Sequence, residues 1–171
     1  PGDDDGNMHT AHAEDVARVT PNFIEKRKIY IVEYPTIVTS TGRRKPTAND
    51  AIVRQMNEGT LFVNFSGHGN PRLWTHEHIF VRETDFPLLH NKGKYFYLIA
   101  ATCNFSEFDA VGDQSGGEIL TNTANAGAVG VLSATRAVYA FPNRQLNVEL
   151  YRQTFKYDVY GQLLPQRLGD A

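Results

Sequence analysis

A histidine and the only cysteine of the chain each follow an apolar run that reads as a β-strand. His68 lies in Ser-Gly-His-Gly-Asn after the run 61–65, and Cys103 lies in Ala-Thr-Cys-Asn after the run 95–100. About 35 positions separate them, roughly the length of one β-loop-α-β unit. In a parallel sheet, strands joined in this way bring both residues to the same carboxyl edge, where α/β proteins place their active sites. A thiol and an imidazole at that edge predict a nucleophile and its proton-transfer partner.

The residues around this pair are suited to acyl transfer at a peptide carbonyl. The thiolate is the attacking form of cysteine, and a nearby imidazole can keep it ionised or protonate a departing amine. Gly67 and Gly69 allow a sharp turn and a close approach of backbone to substrate. The N–H groups of Gly69 and Cys103 are predicted to form an oxyanion hole. In the alternative interpretation, Cys103 is a small buried apolar residue and His68 an ordinary loop histidine.

The composition limits the classes of function. The chain has 171 residues, of which 41% are apolar and 21% charged, and this length is suited to a single domain. Its net charge of −2 gives no electrostatic reason to expect nucleic acid as a partner. One cysteine excludes an intrachain disulfide and any multi-cysteine zinc site. No apolar stretch approaches the roughly 18 residues that span a bilayer.

Strand-like and helix-like segments alternate along the chain. Apolar runs predict strands at 29–32, 61–65, 95–100 and 126–133. Apolar spacing and start signals predict helices over 9–19 and 143–157, a helix over 46–58 that stops at Gly59, and a short helix near 85–89. A further helix is expected to begin after Ser115, with Glu118 at the capping-box position.

The strands are almost continuously apolar, as expected when helices cover both faces of a parallel sheet. In the last helix, Leu146, Leu150 and Phe155 are predicted to face inward. We therefore expect the α/β class, as a three-layer α/β/α sandwich around a mostly parallel sheet.

Several motifs together resemble the gingipain family of cysteine peptidases. The resemblance lies in Ser-Gly-His-Gly at 66–69, Ala-Ala-Thr-Cys-Asn at 100–104, Gly-Gly-Glu at 116–118 and the small-residue run 126–135. It implies a caspase-like fold in which a His-Gly and a strand-end cysteine form a catalytic dyad. The catalytic unit of that family is larger, so residues 1–171 are expected to be one caspase-like domain that is truncated at one or both ends.

The resemblance also implies roles for individual residues. Cys103 would be the nucleophile and His68 the general acid and base, with Gly69 and Cys103 as backbone donors. The segment from Thr135 to Tyr139 would line the pocket for the residue before the scissile bond, and both of these residues are substrate-binding candidates. Tyr139 has an alternative interpretation as an ordinary core aromatic residue.

Within the family, the chain looks most like the PorU-type sortases of type IX secretion. That likeness implies an enzyme that is secreted or lies at the extracellular face of the bacterial outer membrane, removes C-terminal export domains and attaches cargo to lipopolysaccharide. Its partners would be proteins with C-terminal secretion domains, lipopolysaccharide and other type IX secretion components. Two alternatives stay open: a secreted gingipain-like protease that only hydrolyses, and a caspase-like scaffold or binding module without catalysis.

An acidic segment at the start of the chain predicts a calcium site. Asp3, Asp5 and Asn7 offer oxygen ligands at alternate positions, although the glycine that an EF-hand requires is missing. The resemblance supports calcium as a stabilising ion, while the chemistry requires no cofactor. Asp4 and its neighbours could instead orient His68 or place charge in the specificity pocket. In the remaining alternative, these acids favour the positive end of the helix that follows.

Other polar residues give weaker signals. His76 and His78 could bind a metal together if they lay in a strand, because side chains two positions apart share a face. With His68 they would suggest a metal hydrolase, but the spacing is not that of the His-Glu-x-x-His zinc motif, and surface or packing histidines are the alternative. In the loop after Cys103, Glu107 is predicted to contact substrate, with a solvated loop acid as the alternative.

Overall fold

The structure, a computed structural model, describes residues 6–164 and 166–169. Its helices are α1 (Met8–Val19), α2 (Pro46–Glu58), α3 (Gly116–Asn122) and α4 (Ala140–Thr154). Its strands are β1 (Ile37–Thr39), β2 (Gly42–Arg44), β3 (Phe62–Ser66), β4 (Leu73–Trp74), β5 (Phe80–Val81), β6 (Phe96–Ala101) and β7 (Ala128–Ser133). Short 3-10 helices span Ile31–Glu33 and Phe86–Leu88.

The central sheet is parallel, with its strands in the order β3-β6-β7. Ser66 at the end of β3 pairs with Ala101 at the end of β6. Ala100 pairs with Ser133, which ends β7. All three strands therefore end at one edge of the sheet. The remaining strands form two antiparallel pairs, β1 with β2 and β4 with β5.

Helices cover both faces of this sheet, as its apolar strands predict. Alternate residues of β3 and β6 point to opposite faces. On one face Phe65 and Leu98 belong to a cluster that includes Met56 of α2 and Leu120 of α3. On the other face Ile99 belongs to a second cluster, whose buried members also include Val16, Val148, Leu150 and Tyr151 from α1 and α4. The predicted three-layer α/β/α arrangement is confirmed.

Local signals set the ends of two helices as predicted. α2 begins at Pro46, and the following turn uses Gly59 at φ 107°, a conformation that favours glycine. α3 begins after Ser115, whose side chain accepts a hydrogen bond from the Glu118 N–H. The Glu118 carboxylate in turn accepts from the Ser115 N–H at 2.8 Å, which completes the capping box.

The predicted strand at 29–32 is wrong. Ile31–Glu33 forms a 3-10 turn instead, although Ile31 is buried in the core as an apolar strand residue would be. A strand exists only when a neighbouring strand satisfies its backbone N–H and C=O groups. Among the described residues, no strand pairs with this segment. The apolar pattern therefore predicts burial correctly and backbone conformation incorrectly.

One inward position of the last helix is also wrong. Leu146 is 57% exposed, whereas Leu150 is buried as predicted. The buried face of α4 runs through Asn147 and Val148, one position further along. Asn147 turns inward because its amide exchanges hydrogen bonds with the Asn64 amide at 2.8 and 3.2 Å. A buried amide pair thus sets the rotation of the helix in place of the more apolar residue.

A cavity of about 270 Å³ lies beside β3, on the side that faces away from β6. Its walls come from α1, α2, β3 and the segment 24–31. Within the described residues, no helix combines the length and apolar character needed to cross a membrane.

Candidate active site

His68 and Cys103 lie at the same edge of the sheet, each two residues beyond the paired ends of β3 and β6. The last ladder contact is a hydrogen bond from the Gly67 N–H to the Ala101 oxygen at 3.4 Å. Alternation along both strands directs positions 68 and 103 toward the face covered by α1 and α4. The imidazole is exposed and the thiol half-buried. Among the described residues, no hydrogen bond joins the thiol to the His68 ring.

The backbone of Val138 holds the thiol of Cys103. The Val138 N–H donates to Sγ at 3.5 Å, and the thiol donates to the Val138 oxygen at 3.6 Å. When the sulfur is ionised, only the N–H contact can persist, and it then places a donor against the negative charge. The sequence points to the segment after β7 as a pocket wall, but not to this contact, since a backbone donor has no residue type that reveals it.

The loop that follows the thiol is fixed to the loop after β7. Asn104 adopts φ 55°, a left-handed conformation that asparagine tolerates better than most residues. Its N–H donates to the Arg136 oxygen at 3.2 Å, and the Ser106 N–H donates to the Ala134 oxygen at the same distance. These two contacts hold the loop after Cys103 against the loop after β7.

The two N–H groups predicted for the oxyanion hole lie at this edge. Gly69 faces Trp74 as a non-hydrogen-bonded antiparallel pair, because the bonds around it run from the N–H groups of Asn70 and Thr75. In the part of the chain that the structure describes, neither the Gly69 N–H nor the Cys103 N–H donates a hydrogen bond. Both donors are therefore available for an oxygen of substrate.

Position 69 also requires glycine for a packing reason. A Cβ there would lie 2.6 Å from Thr102 Oγ1 and 3.0 Å from the Leu73 oxygen. Thr102 is buried and cannot move aside easily. The glycine that the sequence associates with a sharp turn thus lets the His68 loop pack directly on the end of β6.

Two other imidazoles flank the His68 ring. The ring of His9, in the first turn of α1, lies 5.0 Å away at 87°, and that of His76 lies 5.7 Å away at 30°. His9 is buried. The sequence does not indicate a role for His9 in this site, because nothing in its spacing shows that α1 brings it to the end of β3.

The predicted substrate-binding residues differ in their exposure and in their contacts. Tyr139 is 85% exposed just before α4, so its alternative as a core aromatic residue is wrong. Thr135 is half-buried in the loop after β7. Glu107 is half-buried, accepts a hydrogen bond from the Asn104 amide at 2.8 Å and lies 3.9 Å from Arg136. Glu107 therefore braces the loop after Cys103. Asp4 lies outside the described residues.

An ion pair links the same two loops at the surface. Arg136 donates to both carboxylate oxygens of Asp109, at 2.9 and 2.6 Å. The hydrogen bond from Arg136 lowers the pKa of Asp109 below its usual value. Both partners are solvent-exposed, so the ion pair helps to fix the relative position of the two loops but adds little to the free energy of unfolding.

A second ion pair ties the segment after His68 to the start of α3. Arg82 donates to the Asp113 carboxylate at 2.7 Å, and Arg72 donates to it at 2.9 Å. The hydrogen bond from Arg82 is the main cause that lowers the pKa of Asp113. The Gly116 N–H also donates to the Pro71 oxygen at 2.7 Å. The loop that follows His68 is therefore anchored at both of its ends.

The metal predictions have different outcomes. Asp3 and Asp5 lie outside the described residues, while Asn7 is exposed before α1 at φ 67° without capping it. Within the described residues, no group of three or more His, Cys, Asp or Glu side chains could hold a metal ion. His76 and His78 do not lie in a strand, because 75–78 is a turn, so the condition under which they would share a face is not met. Burial is the main cause that lowers the pKa of His78, and nearby Arg44 and His76 add to it.

Solved structures with a similar fold include a cysteine proteinase. The complex of the Porphyromonas gingivalis RgpB pro- and mature domains aligns over 92% of this chain and 34% of its own, with a TM-score of 0.68 and 16% identity. The Arg-specific cysteine proteinase gingipain R aligns over 88% of this chain and 32% of its own, with a TM-score of 0.65 and 19% identity. At these identities the likeness concerns the fold.

A third structure, described only as a protease, is 27% identical over 54% of this chain and 20% of its own, with a TM-score of 0.50. The chain thus spans about a third or less of the proteins that it matches. No curated protein matches it significantly. The model of peptidase family C25, by contrast, matches residues 1–171. The chain therefore belongs to peptidase family C25, the family of gingipain-like cysteine peptidases.

Proposed function

We propose that this chain carries the nucleophile and the proton-transfer group of a peptidase that works by thiol acyl transfer. The register of the sheet carries the proposal: Ser66 pairs with Ala101, so His68 and Cys103 extend equally beyond two neighbouring strands. The N–H groups of Gly69 and Cys103 at the same edge, which make no hydrogen bond to the described residues, support it.

In the proposed reaction, the proton of the Cys103 thiol passes to the imidazole of His68. The sulfur then forms a bond to the carbonyl carbon, and the oxyanion accepts hydrogen bonds from the Gly69 and Cys103 N–H groups. The C–N bond breaks as the imidazolium of His68 returns the proton to the departing amine. A thioester remains on Cys103. Water attacks it, gives a proton to the imidazole and releases the acid and the thiolate.

The test is the rate at which a peptidyl electrophile labels Cys103, followed by the mass of the intact protein. His68→Ala is expected to slow labelling by about 10²–10⁴-fold, the usual contribution of a general acid–base group. His90→Ala is the matched control, because His90 is an exposed loop histidine that precedes β6, whereas Cys103 follows the other end of that strand. Slow labelling that is equal in all three proteins would contradict the dyad and favour the scaffold interpretation.

A sortase ending is the finer part of the proposal, and it rests on the resemblance to PorU-type sortases. An amine in place of water would attack the thioester, join to the acyl group and release the thiol. The substrates would be proteins with C-terminal export domains, and the acceptor would be lipopolysaccharide. The enzyme would act at the outer face of the outer membrane, with other type IX secretion components as partners. Adding glycinamide to a cleavage reaction distinguishes the endings: amide product supports the sortase, and acid alone supports a hydrolytic protease.

A structural calcium ion is a separate part of the proposal. Asp3, Asp5 and Asn7 would supply carboxylate and amide oxygens, the ligands that calcium prefers. The Asn7 side chain is exposed and makes no capping bond to α1, so it is free of that competing role. Calcium is expected to raise the midpoint of thermal unfolding, and a chelator to reverse the rise. A melting curve that is the same with calcium and with chelator would argue against the site.

A further inference from the structure

His9 is a buried imidazole next to an exposed one. His9 is 4% exposed, whereas His68 is an exposed residue at the carboxyl edge of the sheet. The two ring centroids are 5.0 Å apart and the ring planes meet at 87°. This edge-to-face arrangement is one of the two that aromatic rings prefer at such distances.

The buried ring is itself held by the fold. His9 is the second residue of α1, and α1 packs against both β3 and α4. Its Nδ1 lies 3.5 Å from the hydroxyl of Ser66, the last residue of β3 and itself buried. The position of His9 is therefore fixed relative to the strand from which the His68 loop departs.

The His68 ring needs such a fixed neighbour. The backbone of its loop is held by packing and hydrogen bonds, but the His68 side chain itself is exposed and would otherwise sample several rotamers. A misplacement of about 1 Å in a catalytic group can cost about a hundredfold in rate. His76 adds a second ring at 5.7 Å, from an exposed position in the turn 75–78.

We propose that His9 is a positioning residue for His68: the buried ring restricts the orientation of the proposed general acid and base. This inference rests on the proposed function, because it assigns His9 an effect only through His68. The contact with the ring, rather than a proton on His9, is what matters.

The test compares two substitutions at position 9 by the labelling rate of Cys103 with a peptidyl electrophile. His9→Leu removes the ring and is expected to slow labelling at least about tenfold. His9→Phe keeps a ring and is expected to restore most of the rate. Val16→Ala is the matched control, because it removes volume from another buried position of α1 that lies in the second core cluster. It is expected to lower the unfolding midpoint with little effect on labelling.

A double-mutant cycle separates positioning from general damage. In a His68→Ala background, His9→Leu is expected to cause no further loss of labelling, because its route of action is already gone. An equal loss in both backgrounds, or an equal loss in Val16→Ala, would overturn the inference. If His68→Ala leaves labelling unchanged, the proposed function itself fails. If His68→Ala slows labelling and His9→Leu does not, only the role of His9 fails.

Discussion

Backbone groups hold the thiol of the proposed dyad, whereas side-chain rings flank its imidazole. Cys103 Sγ lies 3.5 Å from the Val138 nitrogen and 3.6 Å from the Val138 oxygen. His68 is bordered by the rings of His9 and His76 at 5.0 and 5.7 Å. Backbone contacts persist under most substitutions, but ring contacts depend on residue type. The imidazole side is therefore expected to be the more sensitive side to mutation.

The loops around the two groups show the same difference. Beyond the thiol, backbone hydrogen bonds join Asn104 to Arg136 and Ser106 to Ala134. Beyond the imidazole, the backbone hydrogen bonds stay within one turn, from the Thr75 N–H to the His68 oxygen at 2.9 Å and from the Asn70 N–H to the Leu73 oxygen at 3.1 Å. The close packing of that turn against the end of β6 depends on residue type, because it requires glycine at position 69.

Among the substitutions that leave both groups of the dyad in place, Gly69→Ala on the imidazole side is expected to have the largest effect. The new Cβ would lie 2.6 Å from Oγ1 of buried Thr102, and such overpacking costs about 1–3 kcal/mol. The unfolding midpoint should fall by about 2–4 °C for each kcal/mol. Labelling of Cys103 should fall at least about tenfold, because the His68 loop and its N–H donor are displaced. Both quantities are measured on the same protein samples.

Two controls show whether the clash is the cause. Gly169→Ala should change neither quantity, because no atom lies within 4 Å of a Cβ at that position. Adding Thr102→Ala to Gly69→Ala removes the Thr102 atoms but leaves the Leu73 oxygen at 3.0 Å, so it should recover part of the midpoint. An unchanged midpoint in Gly69→Ala alone would show that the His68 loop is not closely packed on Thr102. The proposed difference between the thiol side and the imidazole side would then be lost.

On the thiol side, a smaller effect is expected from the loss of one backbone donor. Val138→Pro removes the N–H that points at Sγ, and a single hydrogen bond corresponds to about a two- to tenfold change in labelling rate. Val138→Ala keeps the N–H and is expected to label like the parent protein. If Val138→Ala slows labelling as much as Val138→Pro, a side chain rather than the backbone holds the thiol.

The features that the sequence predicted correctly depend on local signals or on a simple topological rule. The Ser115 capping box and the Gly59 stop are formed by residues within four positions of one another. The shared edge of His68 and Cys103 follows from strand, crossover and parallel strand, which needs no knowledge of distant contacts. Both kinds of prediction therefore transfer from sequence to structure.

The features that the sequence did not predict depend on contacts between distant segments. Ile31 is buried as an apolar run requires, but a strand there needs a partner strand. Leu146 faces solvent because Asn147 bonds to Asn64, 83 positions earlier. His9 reaches the site because α1 packs against β3. Neither the secondary-structure propensity of single residues nor the periodicity of apolar residues predicts these long-range contacts.

The smallest expected effect concerns an ion pair that connects the helices of the two sides. Asp15 of α1, the helix of His9, accepts a hydrogen bond from Arg144 of α4, the helix that begins just after Val138. That bond is the main cause that lowers the pKa of Asp15 below its usual value. The stabilisation is therefore complete above the usual carboxyl pKa of about 4 and is lost as the pH falls through the lower value of the folded protein.

Asp15→Asn is accordingly expected to lower the unfolding midpoint by about 1–3 °C at pH 7, since the partners are partly exposed. The difference from the parent protein should shrink as the pH falls below about 4, because the parent then protonates the same carboxyl. Melting curves between pH 2 and 7 measure this convergence. A difference that stays constant over that range would mean that the charge of Asp15 does not join the helices, and that the thiol and imidazole sides are coupled only through the sheet.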